Sequence, residues 1–365
     1  MDLSTVVLPS VVAAVVPTVI YAIVVWWLDR YEKEPLWLLS VAFIWGAVPA
    51  VVISFVLESS LGISEMGLSE LLGNLLDASV VAPIIEESAK ALALLGIYIL
   101  FRHEFDGVLD GIVYGALIGF GFGMTENALY FMSNAMEGSP IEWNFLVFMR
   151  SIVFGLNHAF YTSLTGAAMG YARLSKKRWE RWLVPLIGLS AAVFFHTVHN
   201  LFATLAEYVC FSLGVSVLSQ MGGLLILLVI LILAWGEEKE QIEKQLTEEV
   251  TGGVISKKEY AIIGSYRRRV AAWWKALSDS GWRAARQQGR LFKLATELAF
   301  AKRRQQKRGA GRKSDARIGK LRIEIEQLHV EMYPDDVRGP GGKTEDEGRG
   351  TEDGEGKRKT KDGGR

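Results

Sequence analysis

Ala82-Pro83-Ile84-Ile85-Glu86-Glu87-Ser88-Ala89-Lys90 sets two consecutive carboxylates and a lysine inside a run that is otherwise apolar from Ala78 to Phe101. The run is long enough to cross a bilayer, where one charged side chain costs at least about 2.5 kcal/mol. Ionisable groups in such a place are either paired or put to use. The segments around them decide which.

Seven stretches reach the ~20 apolar residues that a bilayer requires. They run approximately Val6–Leu28, Leu36–Leu57, Ala78–Phe101, Val108–Met132, Phe145–Tyr171, Leu183–Ala206 and Ser212–Trp235. The expected fold is all-α: a polytopic membrane bundle of about seven transmembrane helices, with a helical and partly disordered tail. Residues 1–235 form the bundle, 236–334 the helical tail and 335–365 a disordered end rich in glycine and alternating charge. No basic region precedes the first apolar run and no small-residue cleavage site follows it, so it reads as a retained helix.

Charge sets the expected orientation. Only ten of the forty lysines and arginines precede Trp235, and the rest of the chain carries about +8. Arg30 and Lys33, Arg102, and the cluster from Arg173 to Arg181 lie in alternate loops, whereas loops 58–77, 133–144 and 207–211 have no basic residue. The positive-inside rule then places the N-terminus outside and the tail in the cytoplasm of a multi-pass cell-membrane protein. The single cysteine, Cys210, excludes an internal disulfide framework and a cysteine-rich metal site. Loop 58–77 reads as a short interfacial helix outside the membrane. In the tail, breaks at Thr251-Gly252-Gly253, Asp279-Ser280-Gly281 and Gly309-Ala310-Gly311 separate helices, and Ser256 with Glu259 forms a capping-box pattern. The face carrying Arg267, Arg268 and Arg269 suits anionic lipid or a protein partner. No nucleic-acid partner is expected of Lys302–Arg308, since a tethered basic segment beside lipid explains it.

Polar residues recur inside the other spans: Glu126-Asn127, Asn157-His158, and His196 with His199 and Asn200. Arg150 and Asp110 lie nearer helix ends, where snorkelling or local pairing suffices. Counted from the outer end of each helix, the site residues fall roughly 9 to 20 Å deep at ~1.5 Å per residue. Helices of opposite direction agree on that depth, which implies one polar layer. Glycine at 107, 111, 115, 119 and 123 makes a stripe along which a neighbouring helix can approach closely, and Asn127 continues it.

A glutamate in apolar surroundings can act as general base on water. Histidines can share the proton work or bind a metal, and an asparagine amide can donate to a developing oxyanion. Two histidines with a carboxylate also make a plausible zinc set, but without a His-Glu-x-x-His run hydrolysis is the firmer reading. Lys90 is within helical reach of Glu86 at i+4 and Glu87 at i+3, so it can neutralise one and leave the other free. The alternative is a transporter or receptor with a proton-coupled polar cavity and no proteolysis, although two related halves are not visible.

Glu86-Glu87-x-x-Lys90, Phe122-x-x-x-Glu126-Asn127, His158 and His196-x-x-x-Asn200, in this order, resemble the PrsW intramembrane proteases over about residues 20–235. That family looks distantly related to the CAAX prenyl endopeptidases and bacteriocin-immunity membrane proteins. The resemblance implies an endopeptidase that cuts a membrane-anchored protein, in the best-known case an anti-sigma factor. It makes Glu86 and Glu87 the acid pair, one of them the water-activating base. Glu126, His158 and His196 become proton-transfer groups or ligands to a divalent metal such as zinc, Asn200 an oxyanion donor, and Lys90 a pairing residue. Family members are usually called metalloproteases, whereas the prenyl endopeptidases suggest a metal-free glutamate mechanism.

Overall fold

Helix α5 (Val108–Glu137) is the element about which the others arrange, because its small residues let backbones on two sides come close. In the computed structural model residues 3–31, 33–61, 69–206, 208–308 and 311–333 are described, and the regular structure among them is helical. The order is α1 (Leu3–Leu28), α2 (Leu36–Leu61), α3 (Glu70–Leu76), α4 (Ala82–Leu100), α5, α6 (Pro140–Val147), α7 (Asn157–Leu174), α8 (Glu180–Leu205), α9 (Cys210–Thr251), α10 (Lys257–Ile263), α11 (Tyr266–Arg308) and α12 (Arg312–Met332).

A Cβ added to Gly115 would stand 2.6 Å from the Thr162 carbonyl oxygen, and one on Gly119 would stand 2.2 Å from that of His158. On the opposite side, a Cβ on Gly121 would meet the Phe43 carbonyl oxygen at 2.0 Å. The stripe read from the sequence therefore seats α7, and a second small-residue contact seats α2. Around them Leu38, Leu94, Phe105, Tyr114 and Ile118 form the buried core of the bundle.

Among the described residues five helices are long and apolar enough to cross a membrane: Val6–Leu28, Leu36–Leu61, Val108–Glu137, Glu180–Leu205 and Phe211–Thr251. The other two expected spans differ for physical reasons. One is α4, which carries Glu86, Glu87 and Lys90 and follows a π-turn at Asp77–Val81. Pro83 has no N–H to continue the ladder there. The second, read as one helix over Phe145–Tyr171, is instead α6, a π-turn at Phe148–Val153 and α7. Gly155 sits at the break, where a Cβ would stand 2.2 Å from the Ser151 carbonyl oxygen. Of the outer segment 58–77, Glu58–Leu61 complete α2 and Glu70–Leu76 is helical, while 62–68 lie outside the described residues.

Beyond Trp235, α9 continues into a second core with α10, α11 and α12, built on Ile242, Leu246, Leu291, Leu298 and Leu321. The expected capping box is present: Ser256 Oγ accepts from the Glu259 N–H (3.2 Å), and Glu259 accepts from the Ser256 N–H (2.8 Å). The expected breaks after Thr251 and at Gly281 occur at left-handed glycines, Gly253 (φ 75°) and Gly281 (φ 81°). Gly309 and Ala310, and the end expected to be disordered, lie outside the described residues.

Gly119→Ala is expected to cost about 1–3 kcal/mol by forcing α5 and α7 apart. Gly96→Ala, whose Cβ would meet nothing within 4 Å, is expected to be neutral or stabilising by up to about 1 kcal/mol. Thermal unfolding of the two variants in detergent separates them. The tail carries a pH dependence of its own. Burial pushes the Glu259 carboxyl up, but hydrogen bonds from His329 and Ser256 outweigh it and hold the group down to about 2, against an ordinary 4.5. A carboxyl lowered in the folded state stabilises above its unfolded value and loses that contribution as pH falls toward about 2. Hydrogen exchange at α10 and α12 should therefore speed up between those pH values in the wild type and change less in Glu259→Gln.

Candidate active site

The ammonium of Lys90 has three N–H donors, and three acceptors meet them. Nζ lies 2.8 Å from Glu87 Oε1, 3.1 Å from Glu86 Oε2 and 3.2 Å from His158 Nδ1. The face of Phe122 covers it at 3.8 Å, and no part of the side chain is exposed. Lys90 therefore touches both carboxylates, where the sequence suggested that it would hold one.

The remaining contacts distinguish the two glutamates. Glu87 also accepts from His196 Nδ1 (3.1 Å) and Thr162 Oγ1 (3.1 Å), so both its oxygens are engaged. Glu86 shares Oε2 with Lys90 and stands 3.9 Å from His196 Nε2, and its other oxygen accepts from no described protein group. His196 is itself fixed by stacking on Tyr161 at 4.8 Å.

His158 links this group to Glu126. Its Nδ1 faces an ammonium and so accepts, which leaves Nε2–H to donate to Glu126 Oε2 at 2.6 Å. Glu126 also pairs with Arg150 (2.9 Å), whose Nε donates to Asn127 Oδ1 (2.8 Å) and whose guanidinium lies 3.9 Å over Tyr130. Arg150 does pair locally, as the sequence suggested, but its partner belongs to the site. Asp110, by contrast, accepts from the N–H groups of Asp106 and Gly107 as a helix cap.

Five of the six expected site residues thus join one network: Glu86, Glu87, Glu126, His158 and His196. Asn200 is turned elsewhere, its amide donating to the Ala78 carbonyl in the π-turn before α4 (2.9 Å). His199 bonds Ser216 (2.6 Å). Sequence reading missed Glu58, which it assigned to the outer loop. At the end of α2 it feels the charges of Glu86, Glu126 and Lys90, and its Oε1 is buried without a partner. Asn157, named in the polar layer but not in the expected site, is 3% exposed with both amide atoms unpartnered.

Beside His158 lies a cavity of about 520 Å³, largely apolar, whose polar lining includes Arg150, Asn127, Asn157 and His199. Phe154, Gly155 and Asn157, at the helix break, line it. Non-helical backbone at membrane depth is tolerated where it borders such a cavity.

Glu86, Glu87, His158 and His196 each offer an atom within 4.8 Å of the others, a set that could hold a metal ion. Carboxylate and imidazole donors suit zinc. Lys90, however, already occupies lone pairs of three of the four, and a divalent ion there would face a full positive charge at close range. With Lys90 so placed, the residues fit an ammonium and not a metal. Of the expected ligands Glu126, His158 and His196, Glu126 is not in this set and instead holds the far nitrogen of His158.

Lys90→Met leaves two buried carboxylates without their counter-ion and is expected to cost about 3–5 kcal/mol. Adding Glu87→Gln should recover part of that loss. Unfolding of the single and double variants in detergent measures the coupling.

Residues 34–235 match the family model described as "PrsW family intramembrane metalloprotease". Among curated proteins the chain is similar to Protease PrsW of Geobacillus kaustophilus (strain HTA426), 29% identical over 43% of this chain and 66% of the relative. It is also similar to Protease PrsW of Bacillus subtilis (strain 168), 30% identical over 42% of this chain and 65% of the relative. A third, Protease PrsW of Clostridioides difficile (strain 630), is 38% identical over 29% of this chain and 44% of the relative. The chain spans about two thirds or less of the length of these relatives, and no solved structure matches it. With more than half its length covered by the family model, the chain belongs to the PrsW family.

Proposed function

We propose that this protein is an intramembrane endopeptidase that hydrolyses a peptide bond of a membrane-anchored protein by a glutamate-activated water. The observation that carries the reading is the unequal engagement of the two carboxylates around Lys90. Glu87 receives hydrogen bonds from three side chains and Glu86 from one. A base needs a lone pair for its proton, so Glu86 is the base and Glu87 fixes Lys90 and His196.

Glu86 takes a proton from water as the water oxygen attacks the substrate carbonyl carbon, and the carbonyl becomes an oxyanion. Collapse of that intermediate breaks the C–N bond while Glu86 returns the proton it took from water to the leaving amine. Lys90 has no N–H to spare, so it orders the carboxylates and does not touch substrate. His158 holds its fixed tautomer between Lys90 and Glu126. The apolar cavity suits an extended segment of a membrane-anchored chain, and the unpartnered carboxamide of Asn157 suits its main-chain N–H and C=O groups. An anti-sigma-type regulator is one substrate class of this kind. The donor for the oxyanion comes from the cavity wall, where Asn127 stands, in preference to Asn200.

The test is cleavage of co-reconstituted single-span proteins by the full chain. Glu86→Gln should lower the rate at least about 100-fold with unchanged thermal unfolding. Glu87→Gln should also lower the unfolding temperature, and Asn157→Ala should raise KM more than it lowers kcat. Cleavage that survives Glu86→Gln contradicts the assignment.

A further inference from the structure

Proteolysis makes no use of α11, whose two arms fold into a hairpin at Gly281. Arg269 in the first arm donates to Thr296 in the second (2.9 Å), and Trp273 lies against Gly289. The hairpin is tied to the bundle at two loops. Arg269 stands 4.9 Å from the ring of Tyr31, just past the end of α1, and Arg304 pairs with Asp106 (2.9 Å), just before α5. The stretch from Thr296 to Arg304 therefore spans two loops that both emerge from membrane helices. It lies across the end of the bundle instead of pointing away from it. From Thr296 back to Trp282 the same arm extends a further ~20 Å beyond that anchorage.

The exposed stripe of the first arm is Arg267, Val270, Ala271, Trp274, Lys275 and Ser278, spaced as one helical face. Trp274 is 60% and Trp282 66% exposed, and both rings adjoin Trp273 at the hairpin's end. Arg283, Arg286 and Arg290 are exposed on the second arm. From Tyr266 to Thr296 the chain has eight basic side chains against the single carboxylate of Asp279. Indoles prefer the membrane–water interface, and basic side chains near it are drawn to anionic headgroups.

We propose that the α11 hairpin is a lipid-docking arm, with Trp274 and Trp282 in the headgroup layer and its exposed arginines against anionic lipid of the same membrane. The occupant is lipid because attachment and charge agree on it: the arm is tied to loops adjoining membrane-crossing helices, and its exposed face is cationic and aromatic.

The experiment uses the full chain in nanodiscs, with Cys210→Ala and an environment-sensitive fluorophore on Ser278→Cys. In discs of phosphatidylcholine with phosphatidylglycerol the emission should shift to the blue, and doxyl-lipid should quench it at least about threefold more than in phosphatidylcholine alone. Raised salt should reduce the difference. Arg267→Glu with Arg283→Glu, both exposed and expected to fold, should abolish it. A label that stays open to aqueous iodide in both lipids, or quenching indifferent to the charge reversals, overturns the proposal and leaves the face to a soluble protein partner.

Discussion

A lysine ammonium with no exposed surface governs this structure. Removing such an ion from water costs several kcal/mol even after relaxation, so Lys90 must find an acceptor for every N–H. It finds Glu86, Glu87 and His158 on two helices, and each of those choices constrains another group. His158 is forced to donate from Nε2 to Glu126, which draws in Arg150 and Asn127. Glu87, which also accepts from Lys90 and Thr162, fixes His196. The polar network follows from that one charge.

The network can close only because the helices carrying it stand unusually near one another. His158 comes within reach of Lys90 because its own turn of α7 rests on Gly119 and Gly123 of α5, where no side chain intervenes. The cost of so much glycine in a helix, up to about 1 kcal/mol each, is accepted where the backbones must meet. On the other side of His158, the residues of the helix break at Gly155 line the cavity.

Much of this was legible in the sequence, and the limits of legibility have physical causes. Charged and polar residues inside apolar runs stand out because hydrophobicity would never select them, so Glu86, Glu87, Lys90, Glu126, His158 and His196 could be found without a structure. Helical spacing also revealed the glycine stripe. Spacing does not report which rotamer a side chain adopts, however. Lys90 at i+3 and i+4 could hold one carboxylate or two, and Asn200 shares a face with His196 yet turns to Ala78. The break in the expected helix over Phe145–Tyr171 was hidden because a π-turn and a single glycine keep the hydropathy of an unbroken span. Glu58 was missed because it sat at an ambiguous helix end, and Asn157, named in the polar layer, was given no role of its own beside its histidine neighbour.

The family's description as metalloproteases and the occupation of the donor set by Lys90 make opposite demands on the same lone pairs. If the ammonium keeps those lone pairs, the water chemistry falls to Glu86 alone. The most direct measurement is the metal content of purified, cleaving protein, titrated against its activity. Full cleavage with far less than one equivalent of bound metal, unchanged by a chelator, is the predicted result. Activity that rises in proportion to bound metal and reaches its maximum near one ion per chain would contradict it.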